Sequence, residues 1–285
     1  MNSIDLHVHT YNSDGTNSPK EIINIAKETG LSAISITDHD SIEGNEEARV
    51  EAGKCSIDYL NGIEFSADYG EGRLLHILGL GIDIYNHDFL EVYNGIKIAR
   101  EKSVGEILKI IKSKNITISI DVLRDRCLKK NLDRYDIHRY FMEEKLCSSA
   151  QEVWDKYLDP IPYKREEILS AEEAIYIIKK AGGRAFLAHY NKSIGLGGLS
   201  RAAMEREIRN LIDLGLDGME KYYPSFTLED VQFADYLLEK YKLLASGGTD
   251  FHGGNRSDIR LGIGSGGFNV PYAVYKSIFN SIKNG

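Results

Sequence analysis

Residues 4–10 read IDLHVHT, and this stretch decides the fold. Successive side chains of a β-strand point to opposite faces, so Asp5, His7 and His9 share one face. The apolar residues between them then pack against whatever covers the other face. Two imidazoles two positions apart on one face can bind the same metal ion. The stretch therefore predicts a strand that carries metal ligands.

Strands and helices alternate after this first strand. Ser18 as N-cap, Pro19 at the first helical position and Glu21 at the third predict a helix start. A buried strand at residues 33–37 follows, which gives a β-α-β unit and indicates parallel strands. About seven such repeats favour a distorted (β/α)₇ barrel, of α/β class, over an open doubly wound sheet. Further strands are predicted at residues 59–65, 74–80, 184–188, 218–223 and 243–246, and further helices at 43–52, 89–113, 171–180, 202–214 and 227–241.

The alternation is interrupted between residues 115 and 165. This segment is charged, and no predicted strand in it ends in a residue of metal-ligand type. We predict that residues 99–165 form a mostly helical inserted cap over the mouth of the main domain. Residues 1–98 and 166–285 would then form the barrel domain.

Composition excludes several classes of function. The net charge is −8, which argues against broad binding to a nucleic-acid backbone, although metal ions could still attract an anionic substrate. Cys55, Cys127 and Cys147 are far apart, which predicts reduced thiols and no thiolate zinc site. We find neither a basic-then-apolar leader nor a long apolar run. We expect a cytoplasmic protein that associates neither with a membrane nor with an obligate protein partner.

Six of the eight histidines lie in a predicted strand or just past its end. The carboxyl ends of parallel barrel strands converge on one rim, so residues distant in sequence would meet there. Carboxylates in the same strands and in the loops after them join the set. The candidate metal ligands are His7, His9, Asp14, His39, Glu64, His76, His189, Asp250 and His252.

Nine ligands are more than one ion can use, since catalytic zinc-type sites take about three protein ligands. The set therefore suits two to three divalent ions, and its mixture of nitrogen and oxygen without thiolate favours Zn²⁺, Mn²⁺ or Fe²⁺. Close pairs or trios of such ions hold a hydroxide nucleophile and neutralise a phosphoryl or acyl oxygen. The residues thus predict a metal-dependent hydrolase.

Five segments together resemble the motifs of the PHP (polymerase and histidinol phosphatase) phosphoesterases, in the same order along nearly the whole chain. They are residues 5–9 (DLHVH), 37–40 (TDHD), 62–64 (GIE), 188–189 (AH) and 248–252 (GTDFH). The resemblance implies a distorted barrel with a di- or trinuclear centre, in which a metal-bound hydroxide attacks phosphorus.

The resemblance also divides the nine ligands among three ions. It places His7, His9, Glu64 and Asp250 on the first ion, Glu64 as a bridge with His76 and His189 on the second, and Asp14, His39 and His252 on the third. Asp5 and Asp38 would lie behind these ligands and orient their imidazoles.

Residues 131–146 and 151–158 resemble the cap of the nucleotidase branch of this family. Members of that branch remove the 3′-phosphate from nucleoside 3′,5′-bisphosphates such as pAp, and some trim short 5′-phosphorylated RNA. Their Arg-Pro-His segment reads Arg134-Tyr135-Asp136 here, so the arginine matches and the histidine does not, while His138 lies two positions further on. Arg134 and Lys221 are the candidate phosphate contacts, and a nucleotide or short oligoribonucleotide is the expected substrate.

Three other functions stay open at this point. A histidinol-phosphate phosphatase would use the same barrel, although the cap argues against it. Amidohydrolases also begin with His-x-His and end with a strand-terminal aspartate, but no bridging lysine is evident. A non-catalytic metal-binding module is the third, and such modules typically lose ligands, whereas all nine are present.

Overall fold

The computed structural model describes residues 3–284, which form a mixed α/β fold, so the predicted class is confirmed. Its strands are β1 (Ser3–Asp5), β2 (Leu31–Ile34), β3 (Asp58–Tyr59), β4 (Gly62–Asp68), β5 (Leu74–Leu80), β6 (Leu169–Ser170), β7 (Arg184–Leu187), β8 (Gly218–Tyr222), β9 (Leu244–Gly247) and β10 (Val270–Pro271). Its helices are α1 (Pro19–Glu28), α2 (Asn45–Cys55), α3 (His87–Ser113), α4 (Ile120–Arg126), α5 (Arg134–Glu143), α6 (Ala150–Val153), α7 (Ala171–Lys180), α8 (Arg201–Asp213), α9 (Leu228–Tyr241) and α10 (Tyr272–Lys283).

The strands form two open sheets, in the orders β10-β1-β2-β3 and β6-β4-β5-β7-β8-β9. The strand pairing therefore does not form the expected closed barrel of parallel strands. β1 and β2 are parallel, as are β7, β8 and β9, but β5 is antiparallel to both β4 and β7. The cause is local: residues 69–73 are too few for a crossover helix, and Gly70 and Gly72 adopt positive φ, so β4 and β5 form a hairpin.

Two isolated bridges join the sheets, one between Val8 and Phe251 and one between His39 and Glu64. The first two regular strands end earlier than predicted, at Asp5 and Ile34. Beyond them the chain keeps single backbone hydrogen bonds, such as the one that the Thr37 N–H donates to the Val8 carbonyl at 2.8 Å. The short, irregular strand ends carry most of the predicted ligands.

Helix α1 begins as the sequence predicts. The Ser18 hydroxyl accepts a hydrogen bond from the Glu21 N–H, and the Glu21 carboxylate accepts one from the Ser18 N–H. Between residues 3 and 284, no helix combines the length and the apolar character that a membrane span requires.

The segment between α3 and α7 has an apolar cluster of its own, separate from those that pack against the sheets. Helices α4, α5 and α6 and the wider helical turn Trp154–Leu158 contribute to it, together with the second half of α3. This separate cluster supports our proposal that residues 99–165 form a cap, the name used for them below.

Candidate metal centre

All nine predicted ligands lie in one cluster at one end of the two sheets. The ring nitrogens and carboxylate oxygens group within 4.8 Å of one another in four overlapping sets. His76 is part of the cluster because β5 runs antiparallel, which brings the third residue of β5 beside Ser66 near the end of β4. The sets are His9, Asp14, His39 and His252; His7, Glu64 and His189; His7, His9 and Asp250; and His39, Glu64 and His76.

Glu64 is wholly buried at the centre of the cluster. Its two carboxylate oxygens lie 2.9–3.3 Å from ring nitrogens of five histidines, yet neither has a hydrogen-bond partner of acceptable geometry. The neighbours are His7, His76 and His189 at Oε1, and His9 and His39 at Oε2. Each oxygen of this carboxylate faces a different group of imidazoles. A carboxylate that bridges two cations would have the same placement.

Two further carboxylates extend the cluster on either side of Glu64. Asp250 Oδ1 lies 3.4 Å from His7 Nε2 and 3.1 Å from His9 Nε2. Asp14 Oδ1 lies 3.2 Å from His252 Nε2 and 3.8 Å from His9 Nδ1. His9 thus stands between two of the expected ligand sets instead of belonging to one.

The electrostatics of the cluster favour bound positive charge. Burial alone would raise the pKa of Glu64, but the imidazoles of His76, His7 and His39 hold that pKa well below its usual value. Burial would lower the pKa of His39, yet Glu64 and Asp14 raise it to about 10. His76 differs, because burial lowers its pKa to about 4 in spite of Glu64. Protons on imidazoles therefore balance the carboxylates, and metal cations displace such protons on binding.

The donor atoms fit divalent cations. The ring nitrogens His7 Nε2, His9 Nε2 and His39 Nδ1 are buried without a hydrogen-bond partner among the described residues, as are Asp14 Oδ1 and both Glu64 oxygens. Buried polar atoms normally have partners, so a cluster of partnerless ones indicates a ligand. Nitrogen and oxygen donors without thiolate suit Zn²⁺, Mn²⁺ or Fe²⁺.

Asp5 acts on the backbone instead of on an imidazole. Its carboxylate accepts hydrogen bonds from the N–H groups of Thr249 and Gly262, both at 2.9 Å, and from the His7 N–H at 3.3 Å. Burial raises its pKa to about 6. Asp5 therefore holds the first strand against the segment that follows β9, which corrects the expectation that it contacts a ligand ring.

Asp38 reaches a ligand ring through another residue. It accepts hydrogen bonds from the Thr10 N–H at 2.6 Å and from the Ser13 hydroxyl at 2.7 Å. The same hydroxyl lies 3.4 Å from His9 Nδ1. This geometry is consistent with the predicted orienting role, with Ser13 as the intermediate.

Three non-glycine residues in or beside the cluster adopt positive φ. Asp40, His189 and Asp250 adopt φ of 48°, 24° and 55°, a region that non-glycine residues rarely occupy. Next to Asp250, a Cβ on Gly248 would lie 2.4 Å from the His7 nitrogen, so only glycine permits this approach. The Asp250 N–H is held by the His7 carbonyl at 2.9 Å.

The sequence reading missed Glu220, a wholly buried carboxylate on β8. Its Oε1 lies 3.0 Å from His7 Nδ1, and its Oε2 accepts a hydrogen bond from the His189 N–H at 2.6 Å. A carboxylate on the second nitrogen of a ligand imidazole fixes the orientation and tautomer of the ring. A charged residue in a predicted interior strand was the available signal.

The structure does not bring Arg134 or Lys221 to the cluster. Lys221 pairs with Asp235 on α9 at 2.5 Å, because alternation on β8 turns it away from the face of Glu220. The Arg134 guanidinium donates to the carbonyls of Leu158, Ile161 and Pro162 and lies 4.0 Å from the Tyr163 ring. These contacts correct the expectation that either residue is placed to bind phosphate.

Two other cations line the cleft of about 500 Å³ between the cluster and the cap. Arg256 donates to Asp250 Oδ2 at 2.8 Å, and the Tyr223 hydroxyl donates to the same oxygen at 2.8 Å. Lys192 lies over the Tyr223 ring at 5.2 Å and has no carboxylate within ion-pair distance in residues 3–284. Lys192 lies in a loop and Arg256 ends the short 3₁₀ helix Gly253–Arg256, and neither segment has a periodic pattern that would signal a binding residue.

Comparisons with known proteins agree with the motifs. Residues 5–158 match the PHP domain. A 3′,5′-nucleoside bisphosphate phosphatase from Chromobacterium violaceum is 30% identical over 255 residues, which cover 88% of each chain. A 5′-3′ exoribonuclease from Haemophilus influenzae is 28% identical over 87% of this chain and 89% of that protein. A solved structure described as an amidohydrolase from C. violaceum, with bound sulfate and no metal, superposes with a TM-score of 0.82 at 27% identity and covers 98% of this chain and 96% of that one.

These matches confirm the family resemblance and the prediction of a hydrolase. The matched residues include the strand ends and loops that carry His7, His9, Asp14, His39, Glu64 and His76, and more than half of the chain is covered. This chain belongs to the PHP domain family.

Proposed function

We propose that this chain is a metal-dependent phosphoesterase that removes phosphate from small nucleotides. Nucleoside 3′,5′-bisphosphates such as pAp are the first substrates to test, and short 5′-phosphorylated RNA is the second. The observation that carries the proposal is the buried Glu64 carboxylate with five imidazoles within 3.3 Å. The curated relatives named for nucleoside bisphosphates and RNA support the substrate class.

We assign the nine clustered residues as ligands of two to three Mn²⁺, Fe²⁺ or Zn²⁺ ions. When bound, such ions generate a nucleophile from water at neutral pH and neutralise charge on phosphoryl oxygens. In the metal-loaded protein Glu220 would keep the proton of His7 on Nδ1, which would leave Nε2, beside Glu64 and Asp250, free to hold an ion. Asp5 and Asp38 keep the strand ends that carry His7 and His9 in register with their neighbours.

Lys192 and Arg256 take the role first assigned to Arg134 and Lys221. Both line the cleft, and Tyr223 lies between Lys192 and Asp250. Their charges would attract a phosphorylated substrate into an otherwise acidic protein and hold its phosphate oxygens by charge-assisted hydrogen bonds.

Metal-dependent amide hydrolysis is the second candidate, because the solved relative is described as an amidohydrolase. Three observations favour phosphate esters. The central bridging position is occupied by Glu64, and the cleft presents two cations that suit a dianion better than an uncharged amide. The sulfate bound to that relative is a tetrahedral dianion of the same shape as phosphate.

The test is turnover by the Mn²⁺-loaded protein of pAp, histidinol phosphate, p-nitrophenyl phosphate and an amide panel. We expect phosphate release from pAp and p-nitrophenyl phosphate, and its loss in His9→Ala and Asp250→Ala. Lys221→Ala is the matched control and should retain activity. A metal-loaded protein that is inert toward every phosphate ester would refute the proposal.

A further inference from the structure

The cap side of the cleft contains a histidine that the proposed chemistry does not use. His138, on α5, is 1% exposed and lines the cleft. Neither of its ring nitrogens has a hydrogen-bond partner of acceptable geometry among the described residues. Leaving a buried polar group unsatisfied costs about 1–3 kcal/mol, so a ring in this position calls for an explanation.

Aromatic contacts hold the His138 ring in place. It stacks on Trp154 with ring centres 5.4 Å apart and planes inclined by 21°. Trp154 meets Tyr135 edge-on at 5.3 Å, and Tyr135 stacks on His39 at 5.5 Å with planes inclined by 7°. This row of rings links His138 to His39, so the position of its nitrogens relative to the cluster of candidate ligands is defined.

The chemistry of the ring indicates a neutral ligand group. Burial lowers the pKa of His138, although Asp14 and the Ala150 backbone oppose the shift. A neutral imidazole offers one donor and one acceptor, which match a hydroxyl or the edge of a nucleobase better than a phosphate, which only accepts. The cations that suit phosphate, Lys192 and Arg256, are on other segments that line the cleft.

We propose that His138 and Trp154 form the nucleoside subsite of this cleft, in which His138 hydrogen-bonds the sugar or base and Trp154 supplies an aromatic surface for the base. Stacking of bases on aromatic side chains contributes about 1–3 kcal/mol per base, and buried polar groups discriminate strongly against ligands that leave them unpaired. This inference rests on the proposed function, because it assigns the substrate part that the metal centre does not contact.

The test compares substrates with and without a nucleoside. His138→Phe keeps an aromatic ring against Trp154 and removes both nitrogens. We expect the KM for pAp to rise about 10-fold, as for the loss of one hydrogen bond to a buried group, with the KM for p-nitrophenyl phosphate unchanged. A parallel rise for ribose 5-phosphate assigns the contact to the sugar, and a rise for pAp alone assigns it to the base. Equal effects on pAp and p-nitrophenyl phosphate, or no effect on either, would overturn the proposal.

Two further measurements keep the test decisive. If His138→Phe does not fold, His138→Asn and His138→Ala are compared instead. Asparagine retains a hydrogen-bond donor and an acceptor, so the ratio of the KM values for pAp and p-nitrophenyl phosphate should be closer to wild type in His138→Asn than in His138→Ala. If the wild-type protein hydrolyses no phosphate ester, the proposed function fails, and the subsite is tested by calorimetric titration with AMP. AMP should then bind the wild-type protein about 10-fold more tightly than the variant, and equal affinities would refute the subsite.

Discussion

Two regions of the cleft use their polar side chains in opposite ways. One is its floor, which consists of the nine clustered candidate ligands and Glu220 behind them, and the other is the cap, residues 99–165. On the floor, Glu64 faces imidazoles from several strands, and a second carboxylate, Glu220, supports the ring of His7. In the cap, the Arg134 guanidinium donates to three backbone carbonyls, whereas the ring nitrogens of His138 have no hydrogen-bond partner in the described residues. The floor is therefore organised to bind cations, and the cap combines structural pairing with a wall for recognition.

The largest expected effect tests the floor. Glu64→Gln removes the charge that balances the imidazoles, so we expect metal content to fall and turnover of p-nitrophenyl phosphate to drop by about 10³-fold or more. Metal analysis and initial rates check it. Glu205 on α8 pairs with Lys240 on α9 and belongs to none of the ligand sets, so Glu205→Gln is the control. Full metal content in Glu64→Gln would mean that Glu64 is not a ligand.

The second effect separates structure from recognition in the cap. Arg134→Met leaves three carbonyls without their donor, and we expect the free energy of unfolding to fall by about 2–4 kcal/mol with the KM for pAp unchanged. Urea denaturation measures the first quantity. Arg126→Met, which removes exposed pairs with Glu143 and Glu144 in the same cap, should change stability little. A rise in KM without loss of stability would return Arg134 to the substrate site.

The clustering of the nine candidate ligands was predictable because strand geometry determines which way a side chain points. His7 and His9 share a face by alternation, and residues at strand ends converge whatever their separation in sequence. The open arrangement of the two sheets, in place of the expected barrel, was not predicted in the same way. The five-residue connection at 69–73 contains Gly70 and Gly72, which is typical of a hairpin between two antiparallel strands. A count of strand–helix repeats does not take this signal into account.

The residues of the cap were harder to predict, for a physical reason. A helix pattern gives the buried face of α5, but the partners of Arg134 depend on how distant segments dock. Glu220 and Lys221 show that prediction is limited in the strands as well. Alternation places the two side chains on opposite faces of β8, but it does not indicate which face is toward the site. A lysine charge suits phosphate, which favoured Lys221 in the sequence, whereas in the structure its pairing with Asp235 on α9 turns it away from the site.

The third prediction examines that missed carboxylate. Glu220→Gln retains the shape of the side chain but weakens the contact with His7 Nδ1, and we expect metal affinity to fall about 10- to 100-fold. Titration of the metal-free protein with Mn²⁺ measures it, with Glu205→Gln again as the control. Unchanged affinity would show that His7 needs no support from β8.

A pair of lysines gives the fourth prediction. Lys192 lines the cleft without a carboxylate partner in residues 3–284, whereas Lys221 is paired with Asp235 outside it. We expect Lys192→Ala to raise the KM for p-nitrophenyl phosphate about 10-fold, and Lys221→Ala to leave it unchanged. Equal effects of the two substitutions would mean that general charge, and not the cleft, attracts the substrate.

The smallest effect concerns pH and the metal-free floor. Burial opposes protonation of His7 and His39, but nearby carboxylates raise both pKa values, that of His39 from 6.5 to about 10. The folded chain thus holds these protons more tightly than the unfolded chain, so their stabilising contribution is complete below pH 6.5 and is lost as pH rises. The lowered pKa of His76, about 4, acts only below pH 6.5. We expect the Tm of chelator-treated protein to fall by a few degrees, about 2–4 °C, between pH 7 and 9. Mn²⁺-loaded protein should change less, because cations replace the protons on the floor. A metal-free Tm that rises across this interval would show that the imidazoles do not balance Glu64 and Asp14.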